Sequence, residues 1–199
     1  MKIGLPKIKK KNKSIILYAA GGHSVAVLEV LKLLNYDVIA YVDKEKKNWL
    51  ENINFLEESN LEKKYKNFSL AIGLGGTSPS QLKTRLKKLV VLEKLGKKFP
   101  ILMHPSSIVA KDANIDKGVV IMPGAIIRSK AKIEKYSIIN SGSIIEHNTV
   151  IKTGCHVAPG AIVLGAASCG SCSMIGSNSV VLQNKILADG SFIKAGTVY

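Results

Sequence analysis

Four histidines and three cysteines are the side chains of this sequence best suited to move a proton or attack a carbon. A neutral imidazole exchanges its proton near neutrality and can serve as a general base. His147 lies in Ile144-Ile-Glu-His-Asn148, and His156 opens His156-Val-Ala-Pro-Gly-Ala161. A thiolate is a nucleophile or a metal ligand. Cys169-x-x-Cys172 is half a zinc knuckle, but no second pair exists, so no metal site is expected. A third chemistry belongs to Gly21-Gly22-His23-Ser24, which follows an apolar run and opens a helix-like segment. Turns of that kind hold phosphates or sugars in doubly wound folds. The full G-x-G-x-x-G is absent, so a dinucleotide cofactor is not indicated.

The elements that position this loop follow from the hydrophobic pattern. Ser14–Ala20 reads as a buried parallel strand and His23–Asn35 as a helix. Asp37–Val42 is a second strand, ending at Asp43. Phe68–Leu74 is a third, ending in Gly73, Gly75 and Gly76. Ser80–Leu95 is a second helix behind Pro79, and Ile101–Met103 a last short strand. Strand, helix, strand in this order is a βαβ unit on a small parallel sheet. Gly21, Gly22, His23, Asp43, Gly73 and Gly75 then meet at the carboxyl ends of three strands. The glycines equally well permit tight turns. Lysines and arginines nearby, such as Arg85, could meet a pyrophosphate, with none standing out.

Beyond residue 105 the rule changes. From Val109 to Ile193 every sixth residue is aliphatic, except Cys169. The residue four further on is small, except Val119 and Lys185. A period of six fits neither a helix nor an alternating strand; it fits a hexapeptide β-helix. Each hexad is a short strand and a turn, and three hexads close one triangular coil. The large side chain fills the prism and the small one its corner, which places Cys169 and Cys155 in the core. Residues one coil apart stack, so Ser129, His147 and Gly165 form a column. Gly165 leaves only backbone beside the histidine, and its N–H could hydrogen-bond an oxyanion. His156 lies half a coil from His147 and precedes the inward Val157. It points outward and could approach His147 only across a subunit interface; an exposed side chain without a role is the other reading.

Composition limits the partners. The 199 residues carry a net charge of +15, and 20 of the basic against 9 of the acidic side chains lie in residues 1–100. The lysines are scattered apart from Lys7–Lys13, and aromatics make up 6%. This reads as a lysine-rich surface attracting anionic small molecules rather than nucleic acid. No apolar run approaches the ~18 residues of a membrane span, and no signal peptide is visible. An odd number of cysteines suits a reducing compartment, so a cytoplasmic location is expected.

His104-Pro-Ser-Ser-Ile-Val109 followed by hexads, the two histidine motifs and the Ala20-Gly-Gly-His-Ser24 turn together resemble bacterial sugar acetyltransferases. The subgroup is that of sialic acid O-acetyltransferases and nucleotide-linked amino-sugar N-acetyltransferases, of the hexapeptide-repeat superfamily. The resemblance covers about residues 14–199. The basic start over 1–13 stands before it as a leader. The resemblance implies a Rossmann-like nucleotide-sugar domain over 14–105 and a left-handed β-helix over 106–199. It makes His147 the catalytic base and gives Gly165 the acetyl carbonyl. His156 and Gly165 would contact acetyl-CoA, the co-substrate, and no metal is needed. Gly21, Gly22, His23, Asp43, Gly73 and Gly75 would hold the nucleotide sugar. The implied assembly is a homotrimer with sites between adjacent prisms. The implied reaction is acetyl transfer to the amino group of a UDP-type amino sugar for a bacterial surface glycan. O-acetylation of a sialic-acid-like sugar stays open. Asn148 stands where members carry an acidic residue that orients the histidine. That departure also keeps open a catalytically impaired scaffold.

Overall fold

The computed structural model describes residues 13–61 and 67–199. The expected basic leader lies outside the described residues, apart from Lys13. Strands β1 (Lys13–Tyr18), β2 (Tyr36–Val42), β3 (Asn54–Leu56) and β4 (Ser69–Ile72) form one parallel sheet, ordered β3-β2-β1-β4. Helix α1 (Gly22–Leu33) follows β1, and α2 (Pro79–Lys94) follows β4. The central strand β1 is apolar on both sides because each face is covered. Ile15 and Leu17 share a core with Val27, Val30 and Leu31 of α1. Ile16 and Tyr18 share another with Leu89 and Leu92 of α2. The edge strand β3 was not foreseen; three residues are too few to display a period.

The rest of the chain is a left-handed β-helix of sixteen two-residue strands, Leu102–Met103 to Phe192–Ile193. They stack into three parallel sheets of six, five and five strands. Each strand pairs with the one a full coil away, as Ile138 with His156 and Ile144 with Ile162. Leu102–Met103, expected as the last strand of the first sheet, instead pairs with Val120–Ile121 in the six-stranded face. The six-residue period therefore reaches one hexad further back, to Met103. The inward column from Ile121 to Ile193 is one continuous core. Several corners turn through left-handed backbone, with φ of 64° at Gly142, 57° at Asn148 and 68° at Gly160.

The six-stranded face is the seam with the N-terminal unit. Val120, Ile138, His156 and Met174 point outward there and are buried, whereas Phe192 on the last coil is 53% exposed. Leu102, Val120 and Met122 belong to the core under α1. Phe99 and Tyr136 belong to the core under α2. Tyr136 occupies a corner at φ 62°, a costly conformation for a bulky residue. Its contacts offset that cost. It meets Phe99 edge-on at 5.3 Å between ring centroids, and its hydroxyl donates to Glu93 of α2 at 2.7 Å. Gly118 one coil below makes the room; a Cβ there would lie 2.6 Å from the tyrosine ring.

Ile139 fills the middle of the inward column and is fully buried. Ile139→Ala should cost about 2–5 kcal/mol of folding stability, measured by urea denaturation.

Candidate active site

The corner that follows Ile144–Ile145 carries His147 and Asn148, both exposed. Asn148 takes the left-handed φ, and its amide lies 3.0 Å from His147 Nδ1. As placed, Nδ2 faces the ring, which suits a proton on Nε2. Turned about its last torsion, Oδ1 accepts from Nδ1–H and leaves a lone pair on Nε2 for base catalysis. An acidic residue would permit only the second arrangement. Glu146 does not substitute for it: its carboxylate accepts from the His147 backbone N–H at 3.4 Å and does not reach the ring.

Gly165 stacks one coil above, as the column of Ser129, His147 and Gly165 requires. The chain is continuous there, with Ala166 N–H donating to the His147 carbonyl at 3.0 Å. A Cβ on Gly165 would stand 2.8 Å from Cε1 and 2.9 Å from Nε2 of His147, so the ring occupies the space a side chain would fill. The Gly165 N–H has no acceptor among the described residues. An imidazole edge and a free backbone donor thus lie side by side, the pair that acyl transfer needs. The cysteines stay out of this chemistry. Cys155 and Cys169 are fully buried inside the prism, and burial pushes the Cys169 thiol up to about 12. Among the described residues no cluster of three His, Cys, Asp or Glu could hold a metal.

The N-terminal residues meet elsewhere. Gly21, Gly22, His23, Asp43, Gly73 and Gly75 all line one cavity of about 790 Å³. Gly73 is forced by packing: a Cβ would lie 2.1 Å from the Ala19 carbonyl and 2.8 Å from Ser24. Gly21 and Gly22 are different, since nothing lies within 4 Å of a Cβ on either. Their role is an open rim rather than a tight turn. Asp43 knots two strand ends, accepting from the N–H of Ala20 at 2.8 Å and of Lys44 at 2.7 Å.

His156 points outward as expected, but into the seam, where it is 7% exposed. Nδ1–H donates to the Gly76 carbonyl at 2.7 Å, and Nε2 faces Asn140 Nδ2 at 3.0 Å. Asn140 is held in that sense because its Oδ1 accepts from Ser141 N–H at 2.8 Å. Both ring nitrogens are therefore engaged, leaving neither free for a coenzyme in this arrangement. Burial pushes the His156 imidazole below its ordinary range, with the Gly76 carbonyl opposing and the Arg85 cation adding to the effect. Burial, then Arg85 and His156, push His23 down to about 3.

Sequence reasoning overlooked Asn140, the part played by the Gly76 carbonyl and the weight of Arg85. Arg85 had a visible signal. It falls on the buried stripe of α2, between Leu82 and Leu89, where the spacing calls for an apolar residue.

A family profile for the PglD N-terminal domain matches residues 14–83. Similar solved structures include the acetyltransferase domain of PglB from Neisseria gonorrhoeae, at 24% identity and a TM-score of 0.85, covering 94% of this chain and 91% of that one. The same domain in complex with acetyl coenzyme A aligns with a TM-score of 0.84 at 24% identity, over 94% and 90% of the two chains. A mutant perosamine N-acetyltransferase from Caulobacter crescentus, in complex with CoA and GDP-perosamine, aligns at 22% identity and a TM-score of 0.85, over 94% and 88%. The likeness is one of fold, and it spans both the sheet unit and the prism.

Two outcomes test this geometry. Asn148→Asp should fix the proton of neutral His147 on Nδ1, read from the imidazole nitrogen-15 shifts; an unchanged tautomer ratio would contradict the contact. Burial lowers the folded-state pKa of both His23 and His156, so protonation favours unfolding. Stability should fall as pH drops from about 6.5 towards about 3. His23→Gln should flatten that slope in urea midpoints measured across the interval.

Proposed function

We propose that the chain transfers the acetyl group of acetyl-CoA to the amino group of an amino sugar carried on a nucleoside diphosphate of the UDP type. The product would feed a bacterial surface glycan. The observation that carries this reading is the His147 ring edge lying against Gly165, with an unused N–H beside it. The similar structures with CoA, acetyl-CoA and GDP-perosamine bound support the same chemistry.

With Asn148 Oδ1 turned to Nδ1–H, His147 Nε2 takes one proton from the neutral sugar amine as it attacks. The new C–N bond forms at the acetyl carbonyl. Its oxygen gains charge and is met by the Gly165 N–H. The C–S bond then breaks, and the thiolate recovers the proton from His147. No covalent enzyme intermediate and no metal enter this sequence.

A homotrimer completes the site. The five-stranded face beside His147 presents Ile108, Ile126, Ile144, Ile162 and Val180 outward in one ribbon, with Ile108 61% exposed. A neighbouring prism seated there would cover the ribbon and wall the corner that holds the histidine. No helix among the described residues is long and apolar enough to cross a membrane.

Thiol release from acetyl-CoA with UDP-linked amino sugars tests the reading. His147→Ala should lower kcat by roughly a hundredfold or more. Failure of every nucleotide amino sugar as acceptor would overturn the reaction. Sedimentation should give three copies; a monomer would overturn the interfacial site.

A further inference from the structure

The chain has 2 arginines against 27 lysines. Arg128 is exposed; Arg85 is 1% exposed and is among the largest fully buried side chains. A buried cation is costly unless something compensates it. Arg85 has only part of that compensation. Nε donates to the Leu74 carbonyl at 2.6 Å, and Nη1 donates to the Tyr136 carbonyl. Both acceptors are neutral. No carboxylate forms an ion pair with it among the described residues. Burial lowers its pKa only to about 10, so it stays charged at neutral pH.

Among the described residues Nη2 has no hydrogen-bond partner, and Arg85 lines the 790 Å³ cavity. Among the described residues the other buried side-chain atom without a partner is Nε2 of His23, which lines the same cavity. The carboxylates around the cavity do not answer this charge. Asp43 is occupied by two backbone N–H groups and faces Lys47 at 3.8 Å, Glu58 is occupied by the Tyr18 hydroxyl at 2.6 Å and Lys88 at 3.3 Å, and Glu57 is exposed and makes no ion pair with Arg85. They follow β2 and β3, whereas the unspent donors gather where β1 and β4 end. Both helices open there too, α1 at Gly22 and α2 at Pro79, without an acidic residue in either first turn. A lysine could supply a charge at this depth. It could not hold Leu74 and Tyr136 in a planar fork and keep a further donor for a ligand.

We propose that Arg85 is the residue that recognises the diphosphate of the ligand in this cavity. Its free Nη2 donors meet the phosphate oxygens, and His23, in the tautomer that carries its proton on Nε2, adds a donor from the lining of the same cavity. The same guanidinium ties the glycine loop to the prism through Leu74 and Tyr136, so it also fixes where the diphosphate sits relative to the β-helix. This inference rests on the reading of the cavity as a nucleotide-sugar site.

The test is calorimetry on the full chain with UDP, GDP, uridine, guanosine and inorganic pyrophosphate. Wild type, Arg85→Gln and Arg85→Lys are compared. A charge-assisted hydrogen bond lost from a phosphate corresponds to roughly ten- to a hundredfold in affinity. Arg85→Gln should lose that factor for UDP or GDP and for pyrophosphate, while its nucleoside affinity stays within about twofold of wild type. Arg85→Lys should fall between. Equal weakening of nucleotide and nucleoside would make Arg85 a structural residue and overturn the proposal. Should Arg85→Gln fail to fold, the wild type decides. Its two arginine Nε–H resonances are separable, one exposed and one buried. Pyrophosphate should shift the buried one and leave Arg128 unmoved; binding without that shift overturns the proposal. Full-affinity UDP binding by Arg85→Gln would sink this inference and leave the nucleotide reading standing. Binding of pyrophosphate through Arg85, with no nucleotide bound, would sink the nucleotide reading and leave the anion seat. Absence of binding by every probe to wild type overturns both.

Discussion

Closure of the β-helix every third hexad dictates the position of everything that could react. Inside, branched side chains form one column, and the small residues between them let the corners close. Side chains cannot drift within such a column, because each inward position is filled from 121 to 193. Outside, residues a full coil apart must stack. The neighbourhood of His147 is therefore set by the residue one coil further on, and that residue is a glycine. The resulting gap is a product of register rather than of any loop built for the purpose. It stands on paired backbone, the kind of support that holds a reacting group to within tenths of an ångström.

The seam does for the N-terminal cavity what stacking does for the corner. The loop after β4 carries Gly73 to Gly76 and has no secondary structure of its own. Its carbonyls are held from behind: Leu74 by Arg85, Gly76 by His156. Both anchors reach the prism, Arg85 through the Tyr136 carbonyl and His156 by belonging to it. Two cationic or potentially cationic side chains are thus spent on neutral carbonyls. That is an expensive way to fix a loop unless the field they leave behind is useful. The depressed pKa of His23 belongs to the same pattern: burial disfavours its charge most, and Arg85 adds to the effect.

How far the sequence could be read depended on the period. Six-residue spacing is long, unbroken and unlike any helix, so the prism, the inward cysteines and the pairing of His147 with Gly165 were legible before any coordinates. The first sheet was legible where apolar runs ended in glycine, and the cavity glycines with them. Three features were not. Leu102–Met103 looks like a sheet strand because two residues carry no periodicity, and only its partner Val120–Ile121 assigns it to the prism. His156 was readable as outward but not as covered, since nothing in a hexad tells which face another domain takes. Arg85 broke the apolar stripe of α2, a conflict between local pattern and burial that a composition-led reading of lysines and arginines passes over.

The shared cores carry a thermodynamic consequence. Leu102, Val120 and Met122 of the β-helix are counted in the same buried cluster as β1 and α1, and Tyr136 in the same cluster as α2. Neither unit can shed its partner without wetting its own interior, so the sheet unit and the coils from Leu102 to Met174 form one cooperative block. The last coil meets that block only lightly, with Lys83 of α2 lying over Gly190. Phe192 and Ile186, 53% and 79% exposed, belong to strands that pair with the coil below, as in any linear array. Opening the seam therefore wets both interiors at once, so the sheet unit and the coils it covers gain and lose their structure together.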